Sequence, residues 1–132
     1  MNIEDYENIE DGISVEKLNS IYDVFFKETD NESQELSIEK LEILSEKQWH
    51  TYENPKTEVQ ENLKKWLYSN WVESDEYLEL VMVVCYSFAL DKDIYAKALN
   101  SYTGDYRAEF LKDIENSKGD YIDPYWSMRK QK

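Results

Sequence analysis

The sequence predicts a single all-α domain, and three observations favour that class. The chain of 132 residues contains only 3 Gly and 2 Pro, whereas β sandwiches and barrels depend on many turn residues. Apolar residues recur at helical spacing in successive segments, which short polar stretches with capping residues separate. The length is that of one domain, and plentiful Trp, Tyr, Leu, Ile and Val supply a core.

The N-terminal residues 1–13 are predicted to form an acidic arm or loop, and residues 14–132 are predicted to form the helical domain. Ser14 suits the N-cap of a first helix that runs from about Val15 to Thr29. Six residues at helical spacing give this helix one apolar face: Val15, Leu18, Ile21, Tyr22, Phe25 and Phe26.

A second helix is predicted from about Ile38 to Tyr52, after a polar connection. Ser37 suits its N-cap. Leu36 before the cap and Leu41 inside the helix stand where a hydrophobic staple places its two apolar residues.

A third helix is predicted to follow Asn54 and Pro55, which suit an N-cap and a first helical position. It continues to about Trp71. Its stripe at helical spacing consists of Val59, Leu63, Trp66, Leu67, Asn70 and Trp71. The shared stripe favours a core position for Trp66 and Trp71, and an interface position is the alternative.

A fourth helix is predicted after Ser74, with Asp75 and Glu76 in the first turn, where the helix dipole favours acid. The residues from Leu78 to Leu90 are apolar nearly all round, which is typical of a central, buried helix. A buried strand over residues 80–86 is the alternative, and the length of the run and its good cap favour the helix.

Two further helices are predicted in the C-terminal part. The fifth runs from about Ile94 to Tyr102, and the sixth begins at Asp105 and ends at Gly119. The tail after Gly119 is rich in aromatic residues and is expected to pack back on the other helices. The result is a bundle of about six helices, or a stack of helical hairpins resembling HEAT repeats, because helices joined by short loops pack antiparallel.

The sequence contains no catalytic or metal-binding motif, so we expect no enzyme, no metal and no cofactor. His50 is the only histidine and stands at a polar helix end. Cys85 is the only cysteine, and its apolar surroundings are expected to raise the pKa of the thiol, which disfavours a nucleophile. A calcium loop beginning at Asp91 would need Gly where Ala96 stands.

The chain is expected to be cytoplasmic and to have no membrane partner. Its N-terminus is acidic and lacks the basic and apolar regions of a signal peptide. The longest apolar run, residues 77–90, is too short to span a bilayer.

The net charge points to a basic partner. The chain has 29 Asp and Glu against 15 Lys and Arg, a formal net charge of −14, together with 11 Tyr and 4 Trp. Residues 1–66 hold 17 of the acidic residues against 7 Lys, so most of the negative field comes from the first half. Such a field repels nucleic acid and anionic lipid and attracts basic proteins.

The candidate binding residues are carboxylates and aromatic side chains. Seven carboxylates are expected on the outer faces of the first two helices: Asp23, Glu28, Asp30, Glu32, Glu39, Glu42 and Glu46. Three aromatic residues are expected to serve as anchors, because Trp and Tyr dominate interface hot spots: Trp49, Tyr52 and Tyr68.

A small, acidic, helical chain without an active site resembles the immunity proteins of bacterial toxin–immunity pairs in contact-dependent or polymorphic toxin systems. Some of those proteins are helical and acidic and bind basic nuclease toxins. The resemblance implies an inhibitor that neutralises a basic toxin domain by occluding its active site or substrate surface. The alternative is a helical adaptor, a regulatory module or a DNA mimic that binds a host protein.

Overall fold

The computed structural model describes residues 1–51 and 53–116, and within these ranges the chain is helical with no β-strand. The all-α prediction is confirmed. The elements are α1 (Ile3–Glu7), α2 (Val15–Glu28), a 3₁₀ turn (Thr29–Asn31), α3 (Gln34–Trp49), α4 (Thr57–Ser69), α5 (Asp75–Phe88), α6 (Lys92–Ser101) and α7 (Arg107–Asn116). Tyr52 and the predicted tail after Gly119 lie outside the described residues.

Side-chain hydrogen bonds show that α4 runs antiparallel to both α3 and α5. Gln34 Nε2 at the start of α3 donates to the backbone oxygen of Asn70, just after α4, at 2.7 Å. Gln60 Nε2 near the start of α4 donates to the backbone oxygen of Phe88 at the end of α5, at 2.9 Å. The helices α3 and α5 therefore run parallel to each other, and they pack together.

The same up-and-down order continues into α6. The backbone N–H of Thr103, after α6, donates to Asp75 Oδ1 at the start of α5, at 3.0 Å. Tyr95 in α6 donates its hydroxyl to the backbone oxygen of Phe110 in α7, at 3.1 Å. Each helix from α4 to α6 thus reverses the direction of the one before it, and Tyr95 links α6 to α7.

The helix α5 lies at the centre of the fold, between α3 and α6. Ser74 Oγ accepts a hydrogen bond from the backbone N–H of Tyr77 at 3.2 Å, which confirms the predicted N-cap. Of its 14 residues, 9 are buried, as expected for a helix that is apolar nearly all round. Among the aliphatic residues of α5, Val83 is the exposed one, with 47% of its surface accessible.

Two of the predicted N-caps, Ser37 and Asn54, do not cap their helices. The helix α3 begins one turn earlier, because Ser33 Oγ accepts from the N–H of Leu36 at 3.2 Å and Ser37 lies buried inside the helix. The helix α4 begins later, at Thr57, and Asn54 provides no cap for it. The side-chain oxygen of Asn54 is buried without a partner.

Residues 1–13 do not form the arm or loop that their acidity predicts. Asn2 and Asp5 close a capping box around the start of α1. Tyr6 is fully buried and Ile9 is 8% exposed, and both belong to the main core. The acidic residues of this segment are exposed, and the short helix α1 packs on α3.

Candidate functional site

Four exposed glutamates form a row along the outer face of α3: Glu35, Glu39, Glu42 and Glu46. Their spacing of 4, 3 and 4 residues keeps them on one helix face, with successive carboxylates one turn apart. No described cation lies within ion-pair distance of any of the four. We call these four residues the acidic row; three of them were expected from the sequence.

The lysines of α3 do not neutralise the acidic row. Lys40 is 2% exposed and faces the interior, and Lys47 Nζ lies 2.7 Å from Asp11 Oδ1. Like charges one turn apart destabilise a helix by about 0.2–0.5 kcal/mol per pair. The acidic row therefore lowers the stability of the folded protein, and no ion pair among the described residues offsets this loss.

The acidic row leads into an apolar patch. Trp49 follows Glu46 by one turn, and its ring stacks on Tyr86 of α5 with centroids 5.5 Å apart and an interplanar angle of 21°. Val83 precedes Tyr86 by one turn on α5 and is the exposed residue noted above. We call Trp49, Val83 and Tyr86 the α3–α5 patch.

Only Trp49 of the α3–α5 patch was expected from the sequence. Val83 and Tyr86 belong to a run that is apolar on every side of the helix, so periodicity could not single out an exposed face. The exposure of Val83 can be deduced only when the packing of α3 and α6 on α5 is known.

Glu28 and Glu32 do not lie on an outer face, contrary to expectation. Lys40 Nζ lies 2.5 Å from Glu32 Oε2 and 3.5 Å from Glu28 Oε1. Glu28 also accepts hydrogen bonds from the hydroxyl of Tyr6 and from the amino group of Met1. These two carboxylates therefore compensate the buried charge of Lys40. The Lys40 ammonium also lies 5.2 Å from the Tyr6 ring centre.

The titration of Glu28 reflects this internal network. Partial burial alone would raise the pKa of its carboxyl, but the bonds from the Met1 amino group and Tyr6, with the charge of Lys40, outweigh burial and lower it. Burial and the Glu28 carboxylate both raise the pKa of Tyr6. Glu28 is thus held as a carboxylate and Tyr6 as a hydrogen-bond donor.

The remaining expected carboxylates are exposed. Asp23 lies on the solvent side of α2, and Asp30 lies in the 3₁₀ turn. No described cation pairs with either of them. They add to the negative field of the first half of the chain without forming a row of their own.

Tyr68 belongs to a second aromatic patch, at the end of α4. It is 40% exposed and stacks on Trp71 with centroids 5.9 Å apart. Lys97 Nζ lies 4.7 Å from the Trp71 ring centre. Trp66 instead packs against Phe25, 6.2 Å between ring centres, so both tryptophans are partly buried at the edge of the core.

The described residues contain no arrangement that indicates catalysis. His50 is exposed at the end of α3, and Cys85 is completely buried, which raises the pKa of its thiol. Within residues 1–51 and 53–116, no group of three or more His, Cys, Asp and Glu side chains is placed to hold a metal ion. None of the described helices is long and apolar enough to cross a membrane.

Comparison of the chain with protein-family models, curated protein sequences and solved structures gives no match. The chemistry of its surface is therefore what supports a function. The acidic row and the exposed Val83 of the adjoining α3–α5 patch lie outside the core.

Proposed function

We propose that this protein is an inhibitor that captures a basic protein, in the manner of an immunity protein that neutralises a nuclease toxin domain. The acidic row is the observation that carries the proposal. Its four carboxylates are exposed, regularly spaced and unpaired among the described residues, and they lie on a chain of net charge −14.

The row would act by taking the place of nucleic-acid phosphates on the basic partner. Unpaired carboxylates on a rigid helix attract Lys and Arg side chains and steer the encounter, which raises the association rate. A partner surface covered in this way can no longer bind its own anionic substrate. Aromatic residues beside the row would slow dissociation.

The proposal is tested by neutralising the row and comparing it with a matched control. The test variant carries Glu→Gln at positions 35, 39, 42 and 46, and the control variant carries Glu→Gln at the exposed Glu7, Glu10, Glu61 and Glu109. Both variants lose four negative charges. The protein and each variant are immobilised and used to isolate a partner, whose association rate is then measured at low and high salt.

We expect the row variant to associate with a basic partner at least about tenfold more slowly than the control variant, with a weaker salt dependence. The partner's nuclease activity should fall to near zero at one equivalent of the unmodified protein. Equal association rates for the two variants would overturn capture by the row. A partner that binds but stays fully active would favour the adaptor alternative.

A further inference from the structure

Val83 is an apolar residue of the central helix that the core does not bury. It lies in the middle of the central helix, yet nearly half of its surface is exposed. Valine also loses side-chain freedom in a helix, so an exposed site gains nothing from it. A single exposed aliphatic residue is common on protein surfaces, so its surroundings decide what it means.

The surroundings of Val83 form a pre-organised apolar surface. Tyr86 lies one turn further along the same helix face, and Trp49 of α3 is stacked on it. Both rings are partly buried, and their stacking joins α3 to α5. Rigid Trp and Tyr side chains bind with little loss of conformational entropy, which is why they are frequent in hot spots.

Carboxylates flank the α3–α5 patch on both helices. Glu46 precedes Trp49 by one turn on α3, and Glu79 precedes Val83 by one turn on α5. A complementary occupant therefore has an apolar centre and basic surroundings. A second copy of this chain does not fit, since its own patch is flanked by carboxylates and its net charge is −14.

We propose that the α3–α5 patch binds an apolar side chain, of the size of Leu or Met, that ends a Lys- and Arg-rich segment of a partner protein. The acidic row spans 12 residues of helix, a rise of about 16 Å, and would pair with the cations of that segment. This inference rests on the proposed function and adds to it: the row governs association, and the patch governs dissociation.

The experiment uses synthetic peptides in place of the partner. The first peptide is helical and carries four Lys residues at the spacing of the acidic row, 4, 3 and 4 residues apart. One Leu lies a helical turn before the first Lys, and a second Leu lies a turn after the last Lys. The second peptide has Ser in place of both Leu residues. Each labelled peptide is titrated by fluorescence anisotropy with the full chain and with two variants, Val83→Gln and Val72→Gln. Val72 is the matched control because it is 43% exposed and lies outside the patch.

We expect the Leu peptide to bind the unmodified protein at least about tenfold more tightly than the Ser peptide. Val83→Gln should abolish this advantage, and Val72→Gln should retain it. Equal binding of the two peptides would overturn the patch proposal and leave capture by the row intact. If neither peptide binds at low salt, electrostatic capture by the row fails, and the proposed function fails with it.

A measurement of thermal stability separates loss of the patch from loss of the fold. Gln is a good helix former, so Val83→Gln should change the melting temperature no more than Val72→Gln does. A large fall for Val83→Gln alone would show that Val83 packs against this same chain, and it would overturn the proposal.

Discussion

Lys40 carries a charge at a site that is 2% exposed, between the carboxylates of Glu28 and Glu32. Removing one partner of such a buried group leaves the other charges without compensation, which typically costs about 3–5 kcal/mol. The network joins α1, the end of α2 and the start of α3, so its loss should affect all three. One ammonium group therefore contributes to the interactions among all three elements.

We expect Lys40→Met to lower the free energy of unfolding by about 3–5 kcal/mol, as measured by urea denaturation. The control is Lys47→Met, because its partner Asp11 has 76% of its side chain exposed. Pairs of that kind contribute less than about 1 kcal/mol. Similar losses for the two variants would contradict a special role for the buried network.

The end of α5 contains a residue in an unusual backbone conformation. Ala89 has φ of +53°, in the left-handed region, where a Cβ is unfavourable. Gln60 from α4 donates to the backbone oxygens of Phe88 and Ala89. This side chain helps to hold a helix end that glycine usually forms.

Ala89→Gly should therefore raise the free energy of unfolding, by up to about 1 kcal/mol, because it removes the left-handed strain. Loss of one buried methyl group limits the gain. Chemical denaturation would measure the change. Ala98→Gly is the control, since it replaces a buried alanine inside α6 and should destabilise the protein. A destabilised Ala89→Gly protein would contradict the strain argument.

At the scale of the helices, the sequence predicts elements whose signals are local. The helix α5 has a capping serine, acid in its first turn and a long apolar run, and the structure agrees. The start of α3 is harder to predict because Ser33 and Ser37 are both good caps and lie one turn apart. The helix α1 is not predicted, because a five-residue helix is stabilised mainly by burial of Tyr6 in a core made elsewhere in the chain.

In the candidate site too, the sequence predicts the residues whose signals are local. Glu39, Glu42 and Glu46 could be expected on an outer face because they share a helical spacing. Glu28 could not be recognised as internal, since Tyr6 is 22 residues away in sequence and bonds with it only in the folded chain. The exposure of Val83 likewise depends on which sides of α5 the neighbouring helices cover.

For the molecule as a whole, negative charge exceeds what its ion pairs can balance. The net charge of −14 is spread over 132 residues. It includes the four carboxylates on the outer face of α3, which form no ion pair with the described residues. Self-repulsion of this kind destabilises the compact state, and salt screens it. This excess of negative charge should therefore lower the stability of the folded protein at low ionic strength.

We expect the melting temperature to rise by about 2–5 °C between about 20 mM and about 300 mM NaCl, as measured by circular dichroism. The variant with four Glu→Gln changes in the acidic row should show a smaller rise, since less repulsion remains to be screened. A melting temperature that falls with added salt would show that attractive ion pairs dominate instead.

Chemical labelling of Cys85 would measure how often the core around α5 opens. It is the only thiol in the chain, and none of its surface is exposed. An alkylating reagent can reach its sulfur only when the helices around α5 separate, so the rate of labelling reports how often the core opens. Mass spectrometry of labelled protein would then rank the stabilities of the variants described above in one mixture, without an introduced probe.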